Sequence, residues 1–205
     1  MTTYPRIISL SGLQGSGKDT VADILCERYG YKRISFAASL KDAVASVFCW
    51  DREMLEGRTA GARAQREQVD EWWSTRLQMP GLTPRRVLQE WGTDVMRNNF
   101  HSDIWVASLE RQIMTAPANA RFVITDCRFP NELNILRRLN AAIWWIHRGI
   151  LPDWWSIAVA GSIPHGIHIS EVIWVPIVIS NGIEINNNGT LADLDCKIKN
   201  LLNAD

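Results

Sequence analysis

Gly12-Leu13-Gln14-Gly15-Ser16-Gly17-Lys18 follows the apolar run Arg6-Ile7-Ile8-Ser9-Leu10-Ser11. It precedes a stretch in which Val21, Ala22, Ile24, Leu25 and Tyr29 recur at helical spacing. Strand, glycine-rich turn and helix in that order are the context a phosphate-binding loop requires. Glycines let the backbone turn tightly, so that successive N–H groups point into the loop. The helix N-terminus adds positive potential, and Lys18 is long enough to reach terminal phosphates. The reading assigns Gly15, Ser16, Gly17, Lys18, Asp19 and Thr20 to a bound nucleotide, against the plain alternative of an ordinary glycine-rich turn. One position departs from the general pattern: Asp19 stands where a Ser or Thr usually ligates magnesium, with Thr20 next. A carboxylate can hold magnesium directly or through water, but it also repels phosphate.

Outward from the loop the chain alternates between strands and helices. Tyr31 to Phe36 reads as a strand, and Ser39 as the cap of a helix through Ala43, Val44, Val47 and Phe48. Residues 51–82 carry arginines among acids and no strand signal, which predicts a helical or partly mobile insertion. Thr83-Pro84 opens a helix to about Asn98, and Ser102 opens another to about Thr115. Arg121 to Asp126 is an apolar strand ending in a carboxylate. A helix through Leu133, Ile135, Leu136 and Leu139 follows, then a strand from Ala141 to His147. Residues 149–181, rich in Trp, Pro and Gly, read as an irregular rim. Gly182 to Asn186 is a last strand, Asn187-Asn188-Gly189 a turn, and Thr190 the cap of a final amphipathic helix. Strands separated by helices imply a three-layer α/β fold with a central parallel sheet. The expectation is one domain over residues 1–205, with the insertion and the rim appended.

Composition narrows the function classes. Of 205 residues, 46% are hydrophobic and 21% charged, which is globular composition. Lys and Arg number 22 and Asp and Glu 22, a balance that argues against a duplex-binding protein or a polybasic membrane anchor. The longest apolar run, Val172 to Ile179, is broken by Pro176 and is far short of the roughly twenty residues of a membrane span. Residues 1–6 lack a signal peptide's apolar core, and the scattered Cys26, Cys49, Cys127 and Cys196 read as reduced thiols. A cytoplasmic location is expected. His101, His147, His165 and His168 form no metal set. The pairs Trp72-Trp73, Trp144-Trp145 and Trp154-Trp155 could stack on single-stranded nucleic acid. Trp144-Trp145, however, lies in a strand, where the two rings face opposite sides and at least one is core.

The chain has no Asn-Lys-x-Asp guanine motif and no Leu-Ser-Gly-Gly signature, which argues against a GTPase and a transporter ATPase. It resembles the phage-type deoxynucleoside monophosphate kinases in four stretches. These are Ser11 to Thr20; Arg85-Arg86-Val87-Leu88-Gln89-Glu90-Trp91-Gly92-Thr93-Asp94 on through Asn98-Asn99-Phe100 to Asp103-Ile104-Trp105-Val106; Asp126-Cys127-Arg128-Phe129-Pro130-Asn131-Glu132; and His168-Ile169-Ser170-Glu171, with Asn188-Gly189-Thr190-Leu191 beyond. The Gly-Lys-Asp-Thr ending is usual in that family. Residues 149–167 and 172–186 fit its pattern poorly.

The resemblance implies ATP- and Mg²⁺-dependent transfer to a deoxynucleoside monophosphate, for DNA precursor synthesis in a host-cell cytoplasm if phage-encoded. It implies no nucleic-acid or membrane partner and leaves a homodimer open. Lys18 and Arg128 would be catalytic and Asp19 the metal carboxylate. Gln14, Lys41, Arg66, Arg86, Thr93, Asp94, Trp105, Asp126, Arg128, Glu132 and Ser170 would meet the substrate. Plainer readings stand beside these. Lys41 could be a solvated helix residue and Trp105 core. Asp126 could hold metal, bind substrate or orient Arg128, and Arg128 could merely pair with Asp126 or Glu132. Glu132 could be a first-turn residue favoured by the helix dipole. The rivals as to function are another small-molecule P-loop kinase, such as one acting on dephospho-coenzyme A, and a non-catalytic ATP sensor. The Gly92-Thr93-Asp94 to Asn98-Asn99-Phe100 stretch speaks against the former.

Overall fold

The computed structural model describes residues 4–167 and 169–203; His168 and the Ser170 side chain lie outside it. In chain order the elements are β1 (Ile7–Ser11), α1 (Lys18–Tyr29), β2 (Tyr31–Ile34), α2 (Ala38–Phe48), α3 (Arg52–Glu56), α4 (Ala60–Arg66), α5 (Glu71–Arg76) and α6 (Pro84–Gln89). A π-helical run, Glu90–Phe100, leads on to α7 (Ile104–Thr115), β3 (Arg121–Ile124), α8 (Pro130–Arg138) and β4 (Ala142–His147). Then come α9 (Trp155–Val159), α10 (Ile169–Val172), α11 (Val175–Asn181), β5 (Ile183–Asn186) and α12 (Leu191–Leu202). The fold divides into two compact units, one of Met1–Ser35 with Glu110–Asp205, the other of Phe36–Leu109.

The first unit holds a five-stranded sheet in the order β2-β3-β1-β4-β5. Every pairing is parallel. Parallel neighbours need crossovers over a sheet face, which is why helices intervene in the sequence. β1 lies at the centre and all five of its residues are buried, so it reads as continuous rather than alternating. Its register sets Ser9 beside Ile124 on one side and Ile143 on the other. One face carries Ile8, Leu10, Val123, Trp144, Ile146 and Ile185 against Val21, Ala22, Ile24 and Leu25 of α1 and Leu194, Ile198 and Leu202 of α12. On the strand's other side Trp145 stacks on Trp155 of α9 with centroids 5.7 Å apart, and Trp155 meets Trp174 at 6.1 Å. Trp144 and Trp145 thus face opposite ways and both are buried, which is the core reading of that pair.

The second unit is helical. Its core is Leu40, Val44, Phe48, Met54, Leu55, Leu82, Val87 and Trp105. Phe48 stacks on Trp50 at 4.5 Å and meets the edges of Trp73 and Trp91. Asp51, Thr59, Asp70 and Thr83 each accept a backbone N–H at a helix start. These side-chain caps compensate for helices too short to persist alone.

Three local readings are corrected. Ser39 is not a cap: α2 starts two residues earlier than a Ser39 cap implies, at Ala38 behind Ala37, and Ser39 Oγ lies 2.6 Å from Ser108 Oγ. The helix opened by Thr83 is α-helical only to Gln89 and continues as the π-helical run, closed by His101 N donating to Met96 O at 2.9 Å. Over so few turns apolar spacing does not separate the two helix types; the Trp105 indole, donating to Gly92 O at 2.9 Å, is a tertiary contact no local pattern announces. Residues 149–181 are not irregular throughout, because α9, α10 and α11 lie there. They are four to seven residues long and are held by aromatic packing, so no helical period builds up.

Candidate active site

The loop after β1 is shaped by two close approaches. Gly12 lies so near the Ile146 carbonyl of β4 that a Cβ there would strike it, and Gly17 bears the same relation to the Asn187 amide. Gly17, at φ 98°, also starts α1 in the left-handed region, where only glycine sits without strain. Ser16 N donates to Leu13 O at 3.2 Å and closes the turn. Lys18 Nζ donates to Gly12 O at 2.7 Å and Leu13 O at 2.9 Å, so the ammonium lies over the loop. Burial lowers its pKa; Asp19 and Glu171 raise it and Arg128 lowers it further. Ser16 Oγ is buried with no hydrogen-bond partner among the described residues. Gln14, Gly15 and Thr20 are exposed at the loop and the first turn of α1.

Asp126 and Arg128 follow β3 at the same sheet edge. Ile124, the last residue of β3, pairs with Ser9 of β1, and the chain leaves the strand before Asp126 rather than at it as the sequence suggested. Arg128 Nη1 donates to Glu171 Oε1 of α10 at 2.8 Å, a partner outside its own loop. Glu132 is buried and its Oε2 accepts Arg128 N at 2.8 Å and Phe129 N at 3.1 Å. Its carboxylate is thus used at the start of α8, the plainer of the two roles open to it, and it fixes the backbone from which Arg128 projects. Asp19 accepts from Arg33 Nη1 at 2.9 Å, and Arg33 also reaches Asp23 one turn along α1.

In the helical unit Lys41 is not solvated. It donates to Glu56 Oε1 at 2.9 Å, while Arg52 donates to Glu56 Oε2 at 2.7 Å and to Asp42 at 2.6 Å. Burial alone would raise the Glu56 pKa, but the hydrogen bonds from Arg52 and Lys41 outweigh it and hold it at about 2. Arg66 packs on Gly57 and donates to Leu55 O at 3.3 Å; its Nε is buried without a hydrogen-bond partner among the described residues. Burial and the neighbouring Arg85 lower its pKa. Arg86 pairs with Glu90 at 2.6 Å. Thr93 and Asp94 are exposed on the π-helical run, whereas Trp105 is core and anchors the adjacent Gly92 carbonyl.

Sequence reasoning missed Glu56, Glu171 and Asn187. Glu171 was legible only as part of a quoted stretch, and Asn187 only as a turn residue. Ser170, expected at the substrate, has its side chain outside the described residues, as does all of His168. Among the described residues no three His, Cys, Asp or Glu side chains gather as a metal cluster. None of the described helices is long and apolar enough to cross a membrane.

A parallel sheet in the order β2-β3-β1-β4-β5, with a glycine-lysine loop between its central strand and first helix, defines a P-loop kinase fold. The sequence model of the family described as deoxynucleotide monophosphate kinase matches residues 64–198, and the chain belongs to that family. A relative from Acanthamoeba polyphaga mimivirus, named for the same kinase, is 34% identical over 158 residues, covering 72% of this chain and 77% of its own. The deoxynucleotide monophosphate kinase of Enterobacteria phage T4 is 25% identical over 251 residues, covering 96% of this chain and 98% of that one. Among solved structures, the dephospho-CoA kinase from Campylobacter jejuni is similar at a TM-score of 0.48 and 13% identity, over 98% of each chain.

Proposed function

We propose that the chain transfers the γ-phosphoryl group of ATP to a deoxynucleoside monophosphate, yielding ADP and the deoxynucleoside diphosphate for DNA precursor synthesis in a cytoplasm. The observation that carries the reading is Lys18 lying over the Gly12–Gly17 loop, with Arg128 in its electrostatic surroundings. An acceptor phosphate oxygen attacks the γ-phosphorus, and the bond to the β–γ bridging oxygen breaks. The acceptor's second pKa is about 6, so it arrives ionised and needs no general base. The difficulty is bringing two anions together, and fixed cations and positioning meet it.

The loop's N–H groups and Lys18 hold the donor phosphates, with Thr20 and Gln14 at their edge. Arg128 grips the transferring group with its planar fork. Lys41, Arg66, Arg86, Thr93 and Asp94 are assigned to the acceptor, with Trp105 holding the backbone beside Thr93. Mg²⁺ would supply charge neutralisation across the donor phosphates. The donor chemistry suits such an ion: Asp126 follows β3, the strand paired with β1, by two residues, and Asp19 opens α1 beside Lys18. Both carboxylates are assigned to it. ADP release measured across the deoxynucleoside monophosphates, with dephospho-coenzyme A and an acceptor-free control, tests the reading. Turnover confined to deoxynucleoside monophosphates supports it. Turnover only with dephospho-coenzyme A, or none with any acceptor, overturns it.

A further inference from the structure

The turn Asn187-Asn188-Gly189, which joins β5 to α12, reaches the phosphate-binding loop from the other end of the chain. Asn187 is buried and its Nδ2 donates to Ser16 O at 3.0 Å across 171 residues. Ser16 O can only accept, so the amide nitrogen must face it. In a planar trans peptide the C=O and the next N–H point in opposite directions. Pinning the Ser16 carbonyl toward Asn187 therefore turns the Gly17 N–H away from it. Gly17 is where the close approach occurs: any Cβ there would strike the Asn187 amide. The glycine before Lys18 thus leaves room for this side chain as well as allowing a left-handed turn.

Asn187 is itself fixed on both sides. Its N–H donates to His147 O at 2.8 Å, which extends the β4–β5 pairing one residue beyond Asn186. Asn188 Oδ1 accepts from Gly149 N at 2.6 Å, and Asn188 N donates to Asn186 Oδ1 at 3.0 Å. Lys197 of α12 holds Asn186 O at 2.5 Å. Such a mounting suits a side chain that sets a peptide's orientation.

We infer that Asn187 is a positioning residue of the phosphate site, aligning the Ser16–Gly17 peptide so that the loop is formed before nucleotide arrives. The inference rests on the loop's holding ATP phosphates. It is read without any acceptor, so failure of phosphoryl transfer and failure of the clamp are distinguishable. The test compares Asn187→Asp, which keeps the shape but cannot donate, and Asn187→Ala with Val178→Ala, a buried change in α11, outside the core that α1 and α12 share. ATP affinity by calorimetry and native-state hydrogen exchange are measured on each.

Either Asn187 variant should weaken ATP binding tenfold or more and speed exchange of the Gly15 to Lys18 amides by a similar factor. Val178→Ala should lower the melting temperature and leave both within twofold. Where turnover is measurable, the Asn187 variants should raise KM for ATP and not for the acceptor. ATP affinity and loop exchange within twofold of wild type in the Asn187 variants, whatever their melting temperature, overturns the inference. If Asn187→Asp does not fold, Asn187→Ala decides the matter on the same readouts.

Discussion

Replacing Glu56 by Gln takes one negative charge from the cluster that holds Lys41 and Arg52 in the helical unit. The folded carboxyl titrates at about 2, against 4.5 for the ordinary group. The sign follows from that direction: a depressed carboxyl contributes stability above its unfolded pKa and loses it as pH falls through the folded value. That difference between the folded and the ordinary carboxyl corresponds to about 3 kcal/mol. The Glu56 side chain is 19% exposed, dry enough for most of that to count. The linkage relation leaves only about 1 kcal/mol of it at about pH 3. Wild type should therefore exceed Glu56→Gln by about 3 kcal/mol at neutral pH, and the gap should narrow by about 2 kcal/mol by about pH 3. Urea unfolding followed by circular dichroism at a series of pH values measures both. A gap that stays constant from neutral pH to pH 3, or is already absent at pH 7, refutes the reasoning. Because Gln keeps the size and loses the ionic hold on Lys41, KM for the acceptor should rise in parallel.

Lys18→Ala should abolish transfer with a near-normal melting temperature, since Lys18 bonds only two loop carbonyls; wild-type turnover in that variant would remove the kinase reading. Asp19→Asn should change the magnesium titration of turnover more than metal-free nucleotide binding, with stability little altered because the Asp19 carboxylate is exposed and Arg33 keeps Asp23; an unchanged titration assigns the carboxylate to Arg33 alone. Arg128→Lys keeps the charge and loses the fork, a loss of about 1.5–3 kcal/mol, or roughly ten- to a hundredfold in kcat/KM. If the contact tightens during transfer, kcat falls more than acceptor KM rises, and wild-type kinetics would leave Arg128 as the partner of Glu171 only.

The strand–loop–helix of Ile7 to Tyr29 was legible because everything that makes it is local: an apolar run, glycines at the turn, and helical spacing after Lys18. The same holds for the Thr83-Pro84 and Thr190 helix starts, where the cap and the backbone N–H it accepts lie three residues apart. Strand alternation with helices also announced a parallel sheet, since such strands can be joined only by crossovers. The order β2-β3-β1-β4-β5 was not legible, because each pairing joins residues far apart in sequence and spacing carries no record of which neighbour wins. Partnerships among charges were hidden for the same reason. Arg128 could have met Asp126 or Glu132 nearby, yet it reaches Glu171, 43 residues away. For Lys41 the resemblance implied a substrate contact and the helix pattern allowed a solvated position, and neither pointed to Glu56, which α3 brings against it. Asn187 shows the limit most plainly: its sequence neighbourhood specifies a turn, and only the sheet, by setting β5 beside β4 and β4 beside β1, carries that turn to the carbonyl of Ser16.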